Sequence, residues 1–234
     1  MTLEALIFGG LGSLAECAEL DRKSWNAAFQ IHGLDWTWSW ETYAGLMRAG
    51  GDRQLAARHA VALGQPCPIA PDLLDQTHQR VFASMLAQDV PLRPGVDRVL
   101  NWSARAGLKL GLVSRSEAGP VRALLQATAR MRSGIAFDLA VLREDVEHLA
   151  PDPEAMLKAV ADLGVGRERV VVVADTAATA QAAQGAGLTV LAFPGQLAAA
   201  EPGDFNGLPS VQVLSPEAVA GAWHRDVQSV TAAQ

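Results

Sequence analysis

Three strand ends carry the side chains of this sequence that could do chemistry. Asp175-Thr176 closes Val170 to Val173, the most β-branched run of the chain. A carboxylate at that end of a parallel strand lies where α/β proteins bind ligands, although Asp175 or Thr176 would equally well cap the next helix. Ser114 and Arg115, in Val113-Ser114-Arg115-Ser116, end a second apolar run ahead of a helix starting near Pro120. A hydroxyl and free backbone N–H groups there suit a phosphate, and also suit an ordinary polar strand end with a helix cap. The third end is a turn, Gly9-Gly10-Leu11-Gly12-Ser13-Leu14-Ala15, which has no charged residue between Phe8 and Glu16.

Other candidates are weaker. Gly10 to Ala15 fits the dinucleotide pattern G-x-G-x-x-A, but that fold needs a second strand about 30 residues on. Here a long helical stretch follows, so the match is a decoy. Cys17 opens a helix, where a thiol pKa can fall, yet no obvious base is near it in sequence. His32, His59, His78, His148 and His224 are scattered and form no i, i+4 ligand pair. Trp36, Trp38 and Trp40 alternate like a strand between helical runs; they are expected as a loop packing between two subdomains.

The elements that must position these residues read as follows. Leu3 to Phe8 is a buried strand ended by glycine. From Glu16 to about Gln88 the pattern is helical: Cys17–His32, Glu41–Arg48, Asp52–Leu63 and Asp72–Ala87. After Pro91 strands alternate with helices. The predicted strands are Leu108–Val113, Phe137–Leu142, Val170–Val173, Thr189–Phe193 and Val211–Leu214. Helices are predicted over Val96–Ala106, Val121–Arg130, Pro153–Leu163, Ala177–Ala186 and Pro216–Trp223. Alternation of this kind implies a doubly wound parallel sheet covered on both faces. Residues 1–15 and 89–227 then form an α/β core, 16–88 an all-helical cap inserted after the first strand, and 228–234 a flexible tail.

The chain has 234 residues, half of them apolar, enough for a full core without disulfides or metals. A net charge of −6 and a pI near 5.3 argue against nucleic acid or an anionic membrane as partner. Two cysteines, Cys17 and Cys67, make neither metal spacing nor a disulfide framework and fit a reducing cytoplasm. Neither a signal-peptide pattern nor an apolar run of membrane-spanning length is present.

This order of parts resembles the haloacid dehalogenase (HAD) superfamily, and most closely its CbbY-type sugar-phosphate phosphatases. The similar segments include Ala5-Leu6-Ile7-Phe8, Leu14-Ala15-Glu16, Gly33-Leu34-Asp35-Trp36, Gly50-Gly51, Leu92-Arg93-Pro94-Gly95, Phe137-Asp138, Pro151-Asp152-Pro153 and Gly185-Ala186-Gly187-Leu188. The family's first motif, D-x-D-G-T, supplies an aspartate nucleophile and an aspartate acid/base. The resemblance places Gly9 at the nucleophile and Leu11 at the acid/base, with Gly12 matching and Ser13 for threonine. Ser114 keeps the hydroxyl of the second motif. Ala150 stands where a lysine precedes Pro-x-Pro, and the fourth motif, E-D, reads Ala174-Asp175. Arg48, Gly50-Gly51 and Arg53 resemble the family's specificity loop, with Asp52 where relatives carry lysine.

Those substitutions bear directly on chemistry. Glycine cannot attack phosphorus and leucine cannot move a proton. Magnesium usually takes one or two carboxylates plus phosphate and water, so no cofactor is expected and Asp175 alone would hold Mg²⁺ weakly at best. The expectation is a cytoplasmic pseudophosphatase with no intact catalytic residue. It would bind a small-molecule metabolite through Ser114, Arg115, Ser13 and Arg53, or a protein partner. The alternative is a HAD-like hydrolase of altered mechanism, with Cys17, Ser13 or Asp21 as substitute nucleophile. A third reading is a scaffold in a heteromer with an active relative, using the helical insertion or the Trp36–Trp40 segment as its interface.

Overall fold

The computed structural model describes residues 2–50, 54–88, 90–131, 135–198, 205 and 207–232. Five parallel strands, β1 (Ala5–Gly9), β2 (Lys109–Val113), β3 (Leu139–Val141), β4 (Val170–Ala174) and β5 (Thr189–Ala192), make one sheet in the order β3-β2-β1-β4-β5. The first strand is therefore central. It is buried along its whole length because both faces are covered. Leu6 and Phe8 face one apolar layer together with Val171 and Val173, whereas Ala5 and Ile7 face the other with Val170 and Val172.

Helices fill both layers. On the Leu6 side lie α5 (Val96–Ala106), α6 (Ala118–Met131) and α9 (Pro216–Ala232); on the Ile7 side lie α7 (Glu154–Leu163) and α8 (Ala177–Gly185). Four helices, α1 (Ala18–Ile31), α2 (Trp40–Gly50), α3 (Leu55–Ala62) and α4 (Pro71–Leu86), form the insertion between β1 and β2. It has its own core of Trp25, Phe29, Trp38, Tyr43, Leu55 and Leu74. Phe82 and Leu86 at the end of α4 join the main core, and an antiparallel bridge between Ala15 and Leu92 clamps the two crossings together.

Three expectations need correction. Val211–Leu214 is not a strand: a single bridge joins Ala192 to Ser210, and the chain then leaves the sheet edge. Leu214 N–H donates instead to Pro94 O at 2.9 Å, and Leu214 O fills the space beside Gly95 (φ +85°) that a Cβ there would need. The last helix runs to Ala232 rather than stopping at Trp223 before a tail, since no Gly or Pro interrupts 222–232. The tryptophans pack the cap itself rather than a seam between subdomains: Trp38 is fully buried, 5.2 Å from Trp25 and 4.8 Å from Phe29 between ring centroids. Trp36 and Trp40, on either side of it, are half-buried.

Candidate functional site

Strand register brings the three sequence-identified ends together. Gly9 pairs with Val113 on one side and Ala174 on the other, so Ser114, Gly10 and Asp175 emerge side by side above the sheet. The chain turns sharply after Gly9. Gly10 adopts φ +119°, which side-chain-bearing residues rarely tolerate, and Leu11–Ser13 makes a short 3₁₀ turn. Leu11 packs into the main core, and Ser13 is fully buried with its hydroxyl donating to Gly10 O at 2.6 Å. Ala174 is fully buried at the end of β4, and Ala150 sits at the rim just before a cis Ala150–Pro151 bond. Among the described residues no strand lies between β1 and β2, so the dinucleotide-type second strand is missing there; β1 is flanked by β2 and β4.

Asp175 is left without a capping role. Thr176 caps α8, its Oγ1 accepting from Thr179 N–H at 3.2 Å. The Asp175 carboxylate points instead at the glycine turn: a Cβ on Gly10 would lie 3.0 Å from both of its oxygens, and one on Gly12 would overlap Oδ2. Its Oδ1 is buried without a hydrogen-bond partner. Burial pushes its pKa up to about 6, against the pull of Arg115 and Arg93.

Arg93 organises the turn from beneath. Its guanidinium donates to Gly12 O (2.9 Å), Phe193 O (2.7 Å) and Pro194 O (2.6 Å), and lies 3.5 Å from the centre of the Phe193 ring. Nε stands 2.8 Å from a Glu16 oxygen as an ion pair, out of line for a hydrogen bond. Burial lowers the Arg93 pKa, and Glu16 and Asp175 offset this. The sequence marked Leu92-Arg93-Pro94-Gly95 only as a similar segment; nothing in its pattern pointed to an inward arginine whose partners lie about 80 and 100 residues away.

Thr179 also escaped sequence reasoning. Its hydroxyl donates to Gly9 O at 3.3 Å, and its methyl occupies the space where a Cβ on Gly9 would lie.

A cleft of about 150 Å³ separates these groups from the cap. Ser114, Arg115, Asp175 and Ala150 line its core side. On the cap side, Asp21 accepts from Tyr43 Oη at 2.5 Å and contacts His78 Nε2 at 2.7 Å, while the His78 ring stacks on Trp25 at 4.1 Å. Cys17 is buried with its thiol donating to Leu11 O at 3.9 Å. Burial, reinforced by Asp175, Asp21 and Glu16, pushes the thiol pKa far up, the reverse of what its place at a helix start implied. Arg53, expected at this site, falls outside the described residues, as do Gly51 and Asp52. Among the described residues, no three of His, Cys, Asp and Glu converge as metal ligands, and no helix is long and apolar enough to cross a membrane.

A family model for haloacid dehalogenase-like hydrolases matches residues 12–187. The chain belongs to that family. Within it, the chain is similar to protein CbbY of Rhodobacter capsulatus, at 33% identity over 199 residues, 84% of this chain and 87% of the relative. CbbY of Cereibacter sphaeroides is 32% identical over 196 residues, 82% of this chain and 85% of that one. Among solved structures, CbbY from Rhodobacter sphaeroides in complex with phosphate superposes with a TM-score of 0.80 at 26% identity, covering 95% of this chain and 100% of that one. A mutant of the same protein in complex with xylulose-(1,5)bisphosphate gives 0.78 at 27% identity, covering 93% and 99%. The fold is thus that of a CbbY-type member of the HAD-like hydrolases.

Proposed function

We propose that this chain is a pseudophosphatase: a CbbY-type protein that binds a metabolite in the cleft without hydrolysing phosphate esters. The observation that carries the reading is Thr179 filling the side-chain space of Gly9, the position where the family resemblance puts the nucleophile. Leu11 buries itself in the core instead of offering a proton, and Ala150 and Ala174 add no charge. Phosphate monoester hydrolysis can demand about 10²¹-fold acceleration, beyond what binding contacts supply.

Magnesium does not fit this donor set. It favours octahedral oxygen ligation with one or two carboxylates and substrate phosphate. Asp175 offers a single carboxylate, aimed at the glycine turn, with a pKa of about 6 that weakens it further as a ligand. An altered mechanism has little to work with either. Ser13 is buried and bonded to Gly10 O, Cys17 is held as a thiol, and Asp21 is engaged by Tyr43 and His78.

The bound species is a small molecule, and the cytoplasm is the compartment that two unpaired cysteines favour. A protein partner in place of the metabolite is the outcome that the test below separates. Thermal unfolding is followed with Mg²⁺, phosphate, xylulose 1,5-bisphosphate and other sugar phosphates, and released phosphate is assayed in the same samples. A ligand of the native state raises the melting temperature by mass action. Stabilisation without phosphate release supports the reading. Magnesium-dependent release that disappears in Asp175→Ala overturns it, and a flat response to every compound transfers the role to a protein partner.

A further inference from the structure

The cleft holds charges of both signs that the protein leaves without a close partner. Arg115 and Arg143, from the loops after β2 and β3, line it and are half-buried; among the described residues neither guanidinium makes a hydrogen bond or ion pair. Four acids among the described residues line the same space: Glu16, Asp21, Asp152 and Asp175. Three are engaged. Glu16 pairs with Arg93 and accepts from Gln196 N–H at 3.2 Å, Asp21 is held by Tyr43 and His78, and Asp152 accepts from Glu154 N–H at 2.9 Å. Asp175 is the exception. It is 8% exposed, its Oδ1 is buried without a donor, and the glycine turn it faces is itself part of the cleft lining.

The cap adds acceptors of its own. His78 Nε2 meets an Asp21 carboxylate oxygen and so carries the hydrogen, which leaves Nδ1 of the neutral ring an acceptor. That Nδ1 and Gln79 Oε1 are both buried without a partner, and both residues line the cleft. One donor, Trp25 Nε1, is in the same state. Buried polar atoms are costly to leave unpaired, and here acceptors predominate on both walls. A ligand that brings donors answers them.

We infer that the cleft takes a short zwitterion, with a protonated amine on Asp175 and an anionic oxygen group on Arg115 and Arg143. This rests on the metabolite-binding reading above and names the ligand class of the same site. An ammonium has three N–H donors and no acceptor, so it can serve Asp175 and the cap acceptors together, and its bond to a carboxylate is charge-assisted. One carboxylate suffices for a monovalent organic cation, whereas Mg²⁺ asks for a fuller set of oxygens. The anion follows the same logic, since a guanidinium pairs with carboxylate and phosphate alike. The two ends lie within a short ligand's reach. Val113 and Ala174 flank Gly9, so the strand ends bearing Arg115 and Asp175 are two strand spacings apart, about 10 Å between backbones, and Arg115 is the charge that acts most strongly on Asp175. The cleft's volume of about 150 Å³ accommodates a molecule of two or three carbons between its charged ends.

The test is isothermal calorimetry on the whole chain, with EDTA present to keep divalent cations off Asp175. The probes are ethylphosphonate, 2-hydroxyethylphosphonate, 2-aminoethylphosphonate, propanoate and 3-aminopropanoate. None has a phosphate ester to hydrolyse, so the series reads binding whether or not the protein has phosphatase activity. Failure of this inference is thereby separated from failure of the pseudophosphatase reading. Each amine is expected to bind about tenfold more tightly than its amine-free partner, with the hydroxyl compound in between. Whichever amine binds more tightly identifies the head as phosphonate-like or carboxylate; both support the class. Asp175→Asn, a near-isosteric change, is expected to erase the advantage of the amine, and Arg115→Gln to weaken every member about tenfold. Equal affinities with and without the amine in the unmodified protein, a hydroxyl that matches the amine, or no binding by any member overturns the inference. So does an amine preference that persists in Asp175→Asn. The comparison within the unmodified protein decides the matter even where a variant does not fold.

Discussion

The methyl group of Thr179 stands where a side chain on Gly9 would begin, and the Thr179 hydroxyl donates to Gly9 O at 3.3 Å. The two residues are 170 positions apart and meet because α8 starts directly above the end of β1. Loss of a side chain at one position and occupation of its space at the other form a single packed unit. Reintroducing an acid at position 9 therefore has a steric cost before any chemistry begins.

Gly9→Asp alone is expected to lower stability by about 1–3 kcal/mol through overpacking. Pairing it with Thr179→Gly removes the overlap. Urea denaturation of the two single variants and the double variant should give a favourable interaction energy of about 1–3 kcal/mol. Additive single effects would show that Thr179 yields freely.

Asp175 should make stability depend on pH. Its folded pKa of about 6 lies above the ordinary value of 3.8, so the folded chain binds more protons between those values than the unfolded chain. Its contribution is most favourable below about pH 4, falls as pH rises through the folded pKa, and is flat above it; the whole change is about 3 kcal/mol. Asp175→Asn should remove this slope and raise stability at neutral pH. Urea midpoints at about pH 4, 5 and 7 compare the two proteins, and parallel curves would refute the assignment.

Arg93 satisfies three backbone carbonyls from beneath the turn. Arg93→Ala leaves them without donors and Glu16 without its ion pair, at a cost of about 3–5 kcal/mol. For a chain of this length that lowers the melting temperature by about 10 °C. Arg93→Lys should recover little, because one ammonium cannot reach in three directions from a flat fork. Differential scanning calorimetry of both variants decides it.

Cys17 and Cys67 should differ in reactivity. Cys17 is 6% exposed and its thiol is held protonated by burial, whereas Cys67 is half-buried. Brief iodoacetamide treatment of the native protein should label Cys67 and spare Cys17, and treatment in urea should label both; mass spectrometry reads the sites. Rapid native labelling of Cys17 would revive it as a nucleophile.

Much of this architecture is legible in the sequence. The strand–helix alternation after Pro91 and the glycine stop after Phe8 place every strand of the sheet, because buried parallel strands are short apolar runs with clear ends. Val211–Leu214 misleads because its alternation comes from packing against the start of α5 rather than from sheet pairing. Ser114 and Asp175 were visible as polar residues at strand ends, and the register of β1 with its neighbours brings them together. Arg93 and Thr179 were not visible. Each acts through one close contact with a residue remote in sequence, and neither residue type nor periodicity encodes such a contact. For Cys17, sequence gave the helix start but not the depth of burial, and burial reverses the expected pKa shift.

The most direct test of the central claim is a single-turnover experiment with protein in excess over xylulose 1,5-bisphosphate in the presence of Mg²⁺, followed for hours for free phosphate. Under these conditions even a very slow phosphatase releases one equivalent, so weak turnover cannot hide. The account predicts no release above the rate without protein, for the chain as it stands and for Asp175→Ala alike. A stoichiometric release that requires Mg²⁺ and is lost in Asp175→Ala would contradict it.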